Sequence, residues 1–360
     1  MTQPPRGSDL LSLLRKFGWV IDFDVAPTKA ISMNYIKLGS LAACLFAAPS
    51  TVAMSLPTHA TYSVVHGWPI LPGGLVLGAA AGVGVDSKGN VWVFQRGGRQ
   101  WNEPLLTDPI KYPTVVQFDG KSGKLLQVWA AGTFAMPHGL TIDGEDNVWL
   151  TDVALHQIYK YSPAGKLLLT LGERGVPGTD TMHFNRPTDI AALPDGSFYV
   201  SDGYRNTRVM KFAADGRFEF QWGKPGTGPG EFNTPHGIAV DRSGHVYVAD
   251  RENDRVQVFD AKGRFLEQWK SASIGRPYSL ALLPADLAAV VDGGVQPDAP
   301  PDRSGVAIVK RDGSLIERFG RFGNYDGQFR MGHDIASDDE GNIYVVDITG
   351  QRVQKFIKTP

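Results

Sequence analysis

Three of the eight histidines share a setting. His138 lies in Met136-Pro137-His138-Gly139-Leu140, His236 in Thr234-Pro235-His236-Gly237-Ile238, and His333 in Met331-Gly332-His333-Asp334-Ile335. They are 98 and then 97 residues apart. Imidazole binds metals and carries protons near neutral pH. One such histidine alone would more often be a packed loop residue. Three at an even interval point to a repeat that gathers them. Converging imidazoles suit a zinc ion, with a fourth position left for water or substrate. The only cysteine is Cys44, near the front of the chain, so a metal bound in the body must take nitrogen and oxygen ligands.

The elements that would position them repeat one pattern: an apolar strand, an Asp-x-x-Gly type turn, a strand ending in Asp, a polar loop and a third strand. The clearest copy runs from Gly237-Ile-Ala-Val-Asp241 through Gly244 to His245-Val-Tyr-Val-Ala-Asp250, then Arg255-Val-Gln-Val-Phe259 and Phe265-Leu-Glu-Gln-Trp269. Ends of the second strand align at Phe94, Asp152, Asp202, Asp250, Asp292 and Asp347, with steps of 42 to 58 residues. Six units with this period predict an all-β, six-bladed propeller. The sixth unit ends after three strands, at Arg352-Val-Gln-Lys-Phe356. Its outer strand is expected from Thr61–Val65, which would latch the ring and hide its edges.

Aligned before the innermost strand stand Ala81, His138, Thr188, His236, Tyr278 and His333, so histidine occupies every second blade. Two blades of six span about 120°, which directs the three rings to the axis. The loop after the second strand opens at the same end. It carries Arg96, Tyr204 and Arg251, which do not recur at matching positions, whereas Arg208, Arg255 and Arg352 recur and belong to the repeat's own turn. Two arginines beside a metal imply an anionic substrate, most simply a carboxylate held bidentately. A tyrosine between a metal and an arginine can serve as a base. His156 and His183 are either partners of the site or structural. Gly332 replaces the proline that precedes the other two histidines, which predicts a looser entry to that strand.

Composition narrows the classes. A net charge of −1, from 36 basic and 37 acidic residues, gives no reason to expect nucleic acid or an anionic membrane as partner. The 42 glycines and 37 aromatic residues suit tight turns and aromatic strands. The front differs from the body. From Met33 a lysine-bearing stretch leads into the apolar run Leu38–Ala48 and then Ser50-Thr-Val-Ala53. Residues 33–53 thus read as a secretory signal, with Met33 as an alternative start and a secreted or periplasmic product. The run is short for a membrane span. Leu41-Ala42-Ala43-Cys44 has the form of a lipoprotein box, a second possibility. The expected organisation is a non-propeller extension at 1–55 and a monomeric propeller domain at 56–360.

The body resembles NHL-repeat propellers, and within them the peptidyl-α-hydroxyglycine α-amidating lyases, from about Ala80 to Phe356. The most specific segments are Asn147–Gln157, Pro177-Gly-Thr-Asp180, His183-Phe184, Pro187-Thr-Asp189, Ser201-Asp-Gly-Tyr204, Pro235-His236 and Ala249-Asp-Arg-Glu-Asn253. The resemblance implies a zinc site at His138, His236 and His333. It also implies a structural calcium held by the Asp334 carboxylate and the Val83 and Leu140 carbonyls. Arg96, Tyr204 and Arg251 match the family's catalytic residues, and Met331 its active-site methionine. The implied reaction cleaves a carbinolamide N–C bond, giving a peptide amide and glyoxylate without consuming water. The family's disulfides have no cysteines here, and the body holds no copper monooxygenase domain. Three other readings stay open: a lyase for a small ureidoglycolate-like substrate, a non-catalytic NHL propeller binding protein or peptide, and a metal-dependent lactonase or hydrolase.

Overall fold

The second strand of each repeat is a β-branched and aromatic run with little alternation, and in the computed structural model it is buried on both faces. Val91–Gln95, Val148–Asp152, Phe198–Asp202, Val246–Asp250 and Ile343–Asp347 are buried at every position. Such strands need sheets packed on either side. The fourth strands, such as Phe218–Trp222, alternate between partly buried and exposed residues because they form the rim. The structure describes residues 62–294 and 303–359. The expected export segment at 33–53, with Met33 and Cys44, lies outside them. Among the described residues no helix is long and apolar enough to cross a membrane.

The described residues form six four-stranded antiparallel sheets, plus a two-stranded parallel ribbon of Arg321–Phe322 and Gln328–Phe329. The innermost strands are Ala80–Val85, Pro137–Ile142, Asp189–Ala192, Pro235–Val240, Pro277–Leu283 and Gly332–Ser337. Each packs against the innermost strands of the blades before and after it, and the last packs against the first, so the ring closes. The fold is a six-bladed β-propeller. The sixth blade is completed as anticipated: Tyr62–Val64 pairs antiparallel with Arg352–Lys358, placing Val64 opposite Phe356. Tyr62 stacks on Phe319 at 5.1 Å and donates its hydroxyl to the Gly341 carbonyl.

The aspartate that ends the second strand anchors the loop leading into the innermost strand of its own blade. Asp152 accepts the amides of Ala135 and Met136, Asp250 that of Asn233, and Asp347 those of Arg330 and Met331. All three aspartates are fully buried. Arg255 and Arg352 pair with the aspartate of their own blade at 2.7 and 3.3 Å, and Arg208 pairs with Asp202 at 3.0 Å. These recurring arginines are structural, and their remaining donors hold loop carbonyls. In the first blade the strand pairing puts Gln95, rather than Phe94, at this position. Its side-chain oxygen accepts the amides of Gly78 and Gly97, the same task done by an amide group. Gly332 is not a loose point. Its N–H bonds Ser304 Oγ at 3.3 Å, and a Cβ there would stand 2.6 Å from the Val291 side chain.

Candidate metal centre and cleft

Each axial histidine sits at a β-bulge. The innermost strand carries one extra residue between Pro137 and Leu140, between Pro235 and Ile238, and between Gly332 and Asp334. A bulge turns the side chain out of its alternation, here toward the axis. His138, His236 and His333 are buried, with potential ligand atoms all within 4.8 Å of one another. Their ring centroids are 4.7 to 4.9 Å apart.

The blades between supply the orientation. His138 Nδ1 donates to the Thr188 carbonyl at 2.8 Å, His236 Nδ1 to Tyr278 at 2.7 Å, and His333 Nδ1 to Ala81 at 2.7 Å. Those acceptors are the three non-histidine members of the axial set. A carbonyl only accepts, so each Nδ1 carries the proton and each Nε2 presents a lone pair. Burial pushes the His138 pKa well below the ordinary imidazole value, helped by the neighbouring His333 and the Arg96 cation. Burial and the Arg251 cation do the same for His236. Burial and Arg96 lower His333 to about 3. Three neutral imidazoles facing one point fit a zinc ion.

Tyr204 stands beside two of these imidazoles. Its hydroxyl is 2.9 Å from His138 Nε2 and 3.1 Å from His236 Nε2, with Arg251 Nη1 donating to it at 3.4 Å. Trp101 packs on one side of the phenol at 5.0 Å and the Arg251 guanidinium lies over the ring at 5.2 Å. Arg96 is buried. Its Nε donates to the Pro137 carbonyl at 2.7 Å, and its Nη2 is buried without a partner among the described residues. Burial lowers its pKa to about 10, which leaves it charged at neutral pH. An unpaired buried N–H is costly, and a guanidinium left with one suits an anionic partner.

Glu252 and Arg276, to which the sequence reading gives no role, join these groups. Glu252 Oε1 accepts from Arg251 Nε at 2.9 Å and also from Arg276 Nη2. Tyr278 lies between the two arginines, with guanidinium carbons 4.8 and 5.4 Å from its ring, and accepts from Arg276 Nη1. Burial opposes the Arg251 charge, but Tyr204, Tyr278 and Glu252 hold its pKa above the ordinary guanidinium value. Met331 lines the same cleft, its amide fixed by Asp347. The cleft has a volume of about 640 Å³ and places Arg96, Tyr204, Arg251, Met331 and His333 together.

Farther along the channel lie two buried carboxylates. Asp334 accepts the Val83 and Ile335 amides at 2.9 Å each. Asp189 accepts the Ile238 amide at 3.1 Å. They follow the axial residue in the sixth and third blades, opposite one another in the ring. Burial raises Asp334 to about 6, and burial with the Asp334 charge raises Asp189 well above the carboxylate range. Two oxygen ligands facing each other without a paired cation suit a hard metal ion. Among the described residues the other histidines do not reach the centre. His183 bonds Asp180, His156 accepts the Arg186 amide, and His245 bonds Asp241 in a turn.

The protein is therefore a propeller with a three-histidine axial centre beneath an arginine-lined cleft. Residues 184–212 and 232–259 match the NHL repeat. Peptidyl-alpha-hydroxyglycine alpha-amidating lyase 1 of Drosophila melanogaster is 35% identical over 82% of this chain and 60% of its own length. Lyase 2 of the same organism is 32% identical over 85% of this chain and 77% of its own. The rat peptidylglycine alpha-amidating monooxygenase is 36% identical over 79% of this chain, which spans 31% of that protein. The chain belongs to the peptidyl-α-hydroxyglycine α-amidating lyase family. It spans between 31% and 60% of the length of several curated relatives it matches. Among solved structures, a Staphylococcus aureus virginiamycin B lyase superposes with TM-score 0.54 at 13% identity, covering 82% of this chain and 99% of that one. A Xanthomonas campestris gluconolactonase gives 0.55 at 13%, covering 78% and 87%. Both show the propeller fold.

Proposed function

We propose that this protein is a zinc-dependent carbon–nitrogen lyase that cleaves peptidyl-α-hydroxyglycine into a peptide amide and glyoxylate. The observation that carries this reading is the Tyr204 hydroxyl held 2.9 and 3.1 Å from the inward nitrogens of His138 and His236. Zinc held by His138, His236 and His333 would lower the pKa of a substrate hydroxyl beside it. The other steps belong to the chain. Arg96, through its free Nη2, and Arg251 grip the terminal carboxylate and fix the α-carbon below Tyr204. Tyr204, in its phenolate form, accepts the α-hydroxyl proton. The C–O bond becomes a carbonyl as the C–N bond breaks, and its electron pair leaves on the amide nitrogen. Tyr204, protonated in that step, is placed to return the proton to the nitrogen, so no water is consumed. Met331 forms part of the wall around the reacting carbon.

Asp334, with the carbonyls of Val83 and Leu140, would hold a structural calcium. Val83 donates its amide to Asp334, and the N–H and C=O of a strand residue point to the same side, so its carbonyl faces this carboxylate. Asp189 faces the same space and would balance the second charge. A cleft of about 640 Å³ takes more than a small hydroxy-amide, which favours a peptidyl substrate over a ureidoglycolate-like one. The segment at 33–53 would send the propeller, residues 56–360, to a secreted or periplasmic location. The test is glyoxylate release from a model N-acyl peptidyl-α-hydroxyglycine. Purified protein loaded with zinc should release it, lose the activity to a chelator and regain it with zinc. No glyoxylate from the zinc-loaded protein would overturn the proposal.

A further inference from the structure

The charge of the cleft goes beyond what one carboxylate requires. Its lining includes six arginines but only two acidic residues, Glu103 and Glu252, a formal excess of four positive charges in a chain whose net charge is −1. Three of the arginines, Arg96, Arg251 and Arg276, form the buried floor. The other three, Arg99, Arg186 and Arg205, pair with carboxylates of the loops around the cleft. Arg186 holds Glu103 with two hydrogen bonds, at 2.6 and 2.9 Å, and Arg99 is held by Asp108 in the same way. Arg205 is different. Its side chain is 56% exposed and its ion pair with Glu103 is 3.7 Å long, on an oxygen that Arg186 already occupies. The acidic counterweight sits at the other end of the propeller, where a recess among the Asp-x-x-Gly turns carries seven carboxylates and three lysines.

A substrate whose terminal carboxylate reaches the floor must run outward past Tyr204, because the histidines and Tyr278 close the inner end. The residue before the hydroxyglycine then lies at the rim. We infer, resting on the lyase reading, that the cleft selects substrates with a second anionic group: an acidic side chain just before the hydroxyglycine, received by Arg205 beside the Glu103–Arg186 pair. Clefts of one sign concentrate ligands of the other and raise association rates, an effect that salt weakens.

The experiment compares kcat/KM for N-acetyl-Glu-, N-acetyl-Ala- and N-acetyl-Lys-α-hydroxyglycine with the zinc-loaded protein. Glutamate should exceed lysine about tenfold at low ionic strength, and the ratio should shrink in about 0.5 M salt. Arg205→Ala should lower the glutamate-to-alanine ratio about threefold, as for an exposed ion pair. Arg217→Ala, which removes an exposed arginine paired with Glu219 away from the cleft, should not move it. Equal turnover of the three peptides, or a ratio unchanged by Arg205→Ala, overturns the charge selection and leaves the lyase reading standing. No glyoxylate from any of them overturns both.

Discussion

Replacing Tyr204 by phenylalanine removes one oxygen and leaves the ring. That oxygen contacts His138 Nε2 at 2.9 Å, His236 Nε2 at 3.1 Å and Arg251 Nη1 at 3.4 Å. The ring contacts remain, with Trp101 at 5.0 Å and the Arg251 guanidinium at 5.2 Å. The stability change is that of a few partly buried hydrogen bonds, about 1 kcal/mol. The loss of a positioned base is larger, about 10² to 10⁴ in kcat. In the proposed reaction the arginines hold the substrate, so KM should move little. The assay is steady-state glyoxylate release with zinc content measured on the same sample. A Tyr204→Phe enzyme with full zinc and kcat within about threefold of the parent would refute the role assigned to the hydroxyl.

Arg251→Lys should lower kcat/KM about a hundredfold, since a lysine keeps the charge but loses the planar fork between Tyr204 and Tyr278; near-normal kinetics would exclude that role. His236→Ala should abolish both activity and tight zinc binding, checked by metal analysis; zinc retained in full would contradict the axial site. Zinc affinity should stay level from about pH 7.5 to 5, because burial depresses the imidazole pKa values, His333 to about 3, and protons compete only below them. Histidines of ordinary pKa would instead lose affinity steadily below about pH 6.5. Asp250→Ala should cost about 3–5 kcal/mol in denaturant unfolding, as it strands the buried Arg255 partner and frees the Asn233 amide; a loss under about 1 kcal/mol would show the loop held otherwise.

The ring was legible because its unit is local. Asp/Gly turns and strand runs count the blades, and the count converts spacings of 98 and 97 into three rings on one axis. The closing strand followed from a sixth unit that was one strand short. Phe94 was taken for the strand end because the first blade has glutamine where the others have aspartate, and only the pairing shows that Gln95 holds the loop. Glu252 and Arg276 were not legible, since they meet only where the loops of neighbouring blades come together. Tyr278 was placed on the axis, but its packing between two arginines depends on that same meeting. Asp189 left a usable signal: it occupies in the third blade the position that Asp334 occupies in the sixth. The hydrogen bonds that orient the histidines involve backbone carbonyls, which any residue supplies, so composition carries no trace of them.

The central claim is that this centre eliminates an amide and does not hydrolyse it, and the mass of the peptide product tests that most directly. From a peptidyl-α-hydroxyglycine the zinc-loaded protein should give a C-terminal peptide amide, with one glyoxylate for each amide formed. A peptide with a free C-terminal carboxylate, with ammonia released alongside glyoxylate as the freed α-hydroxyglycine collapses, would mean that water attacks the carbonyl, and would contradict the account.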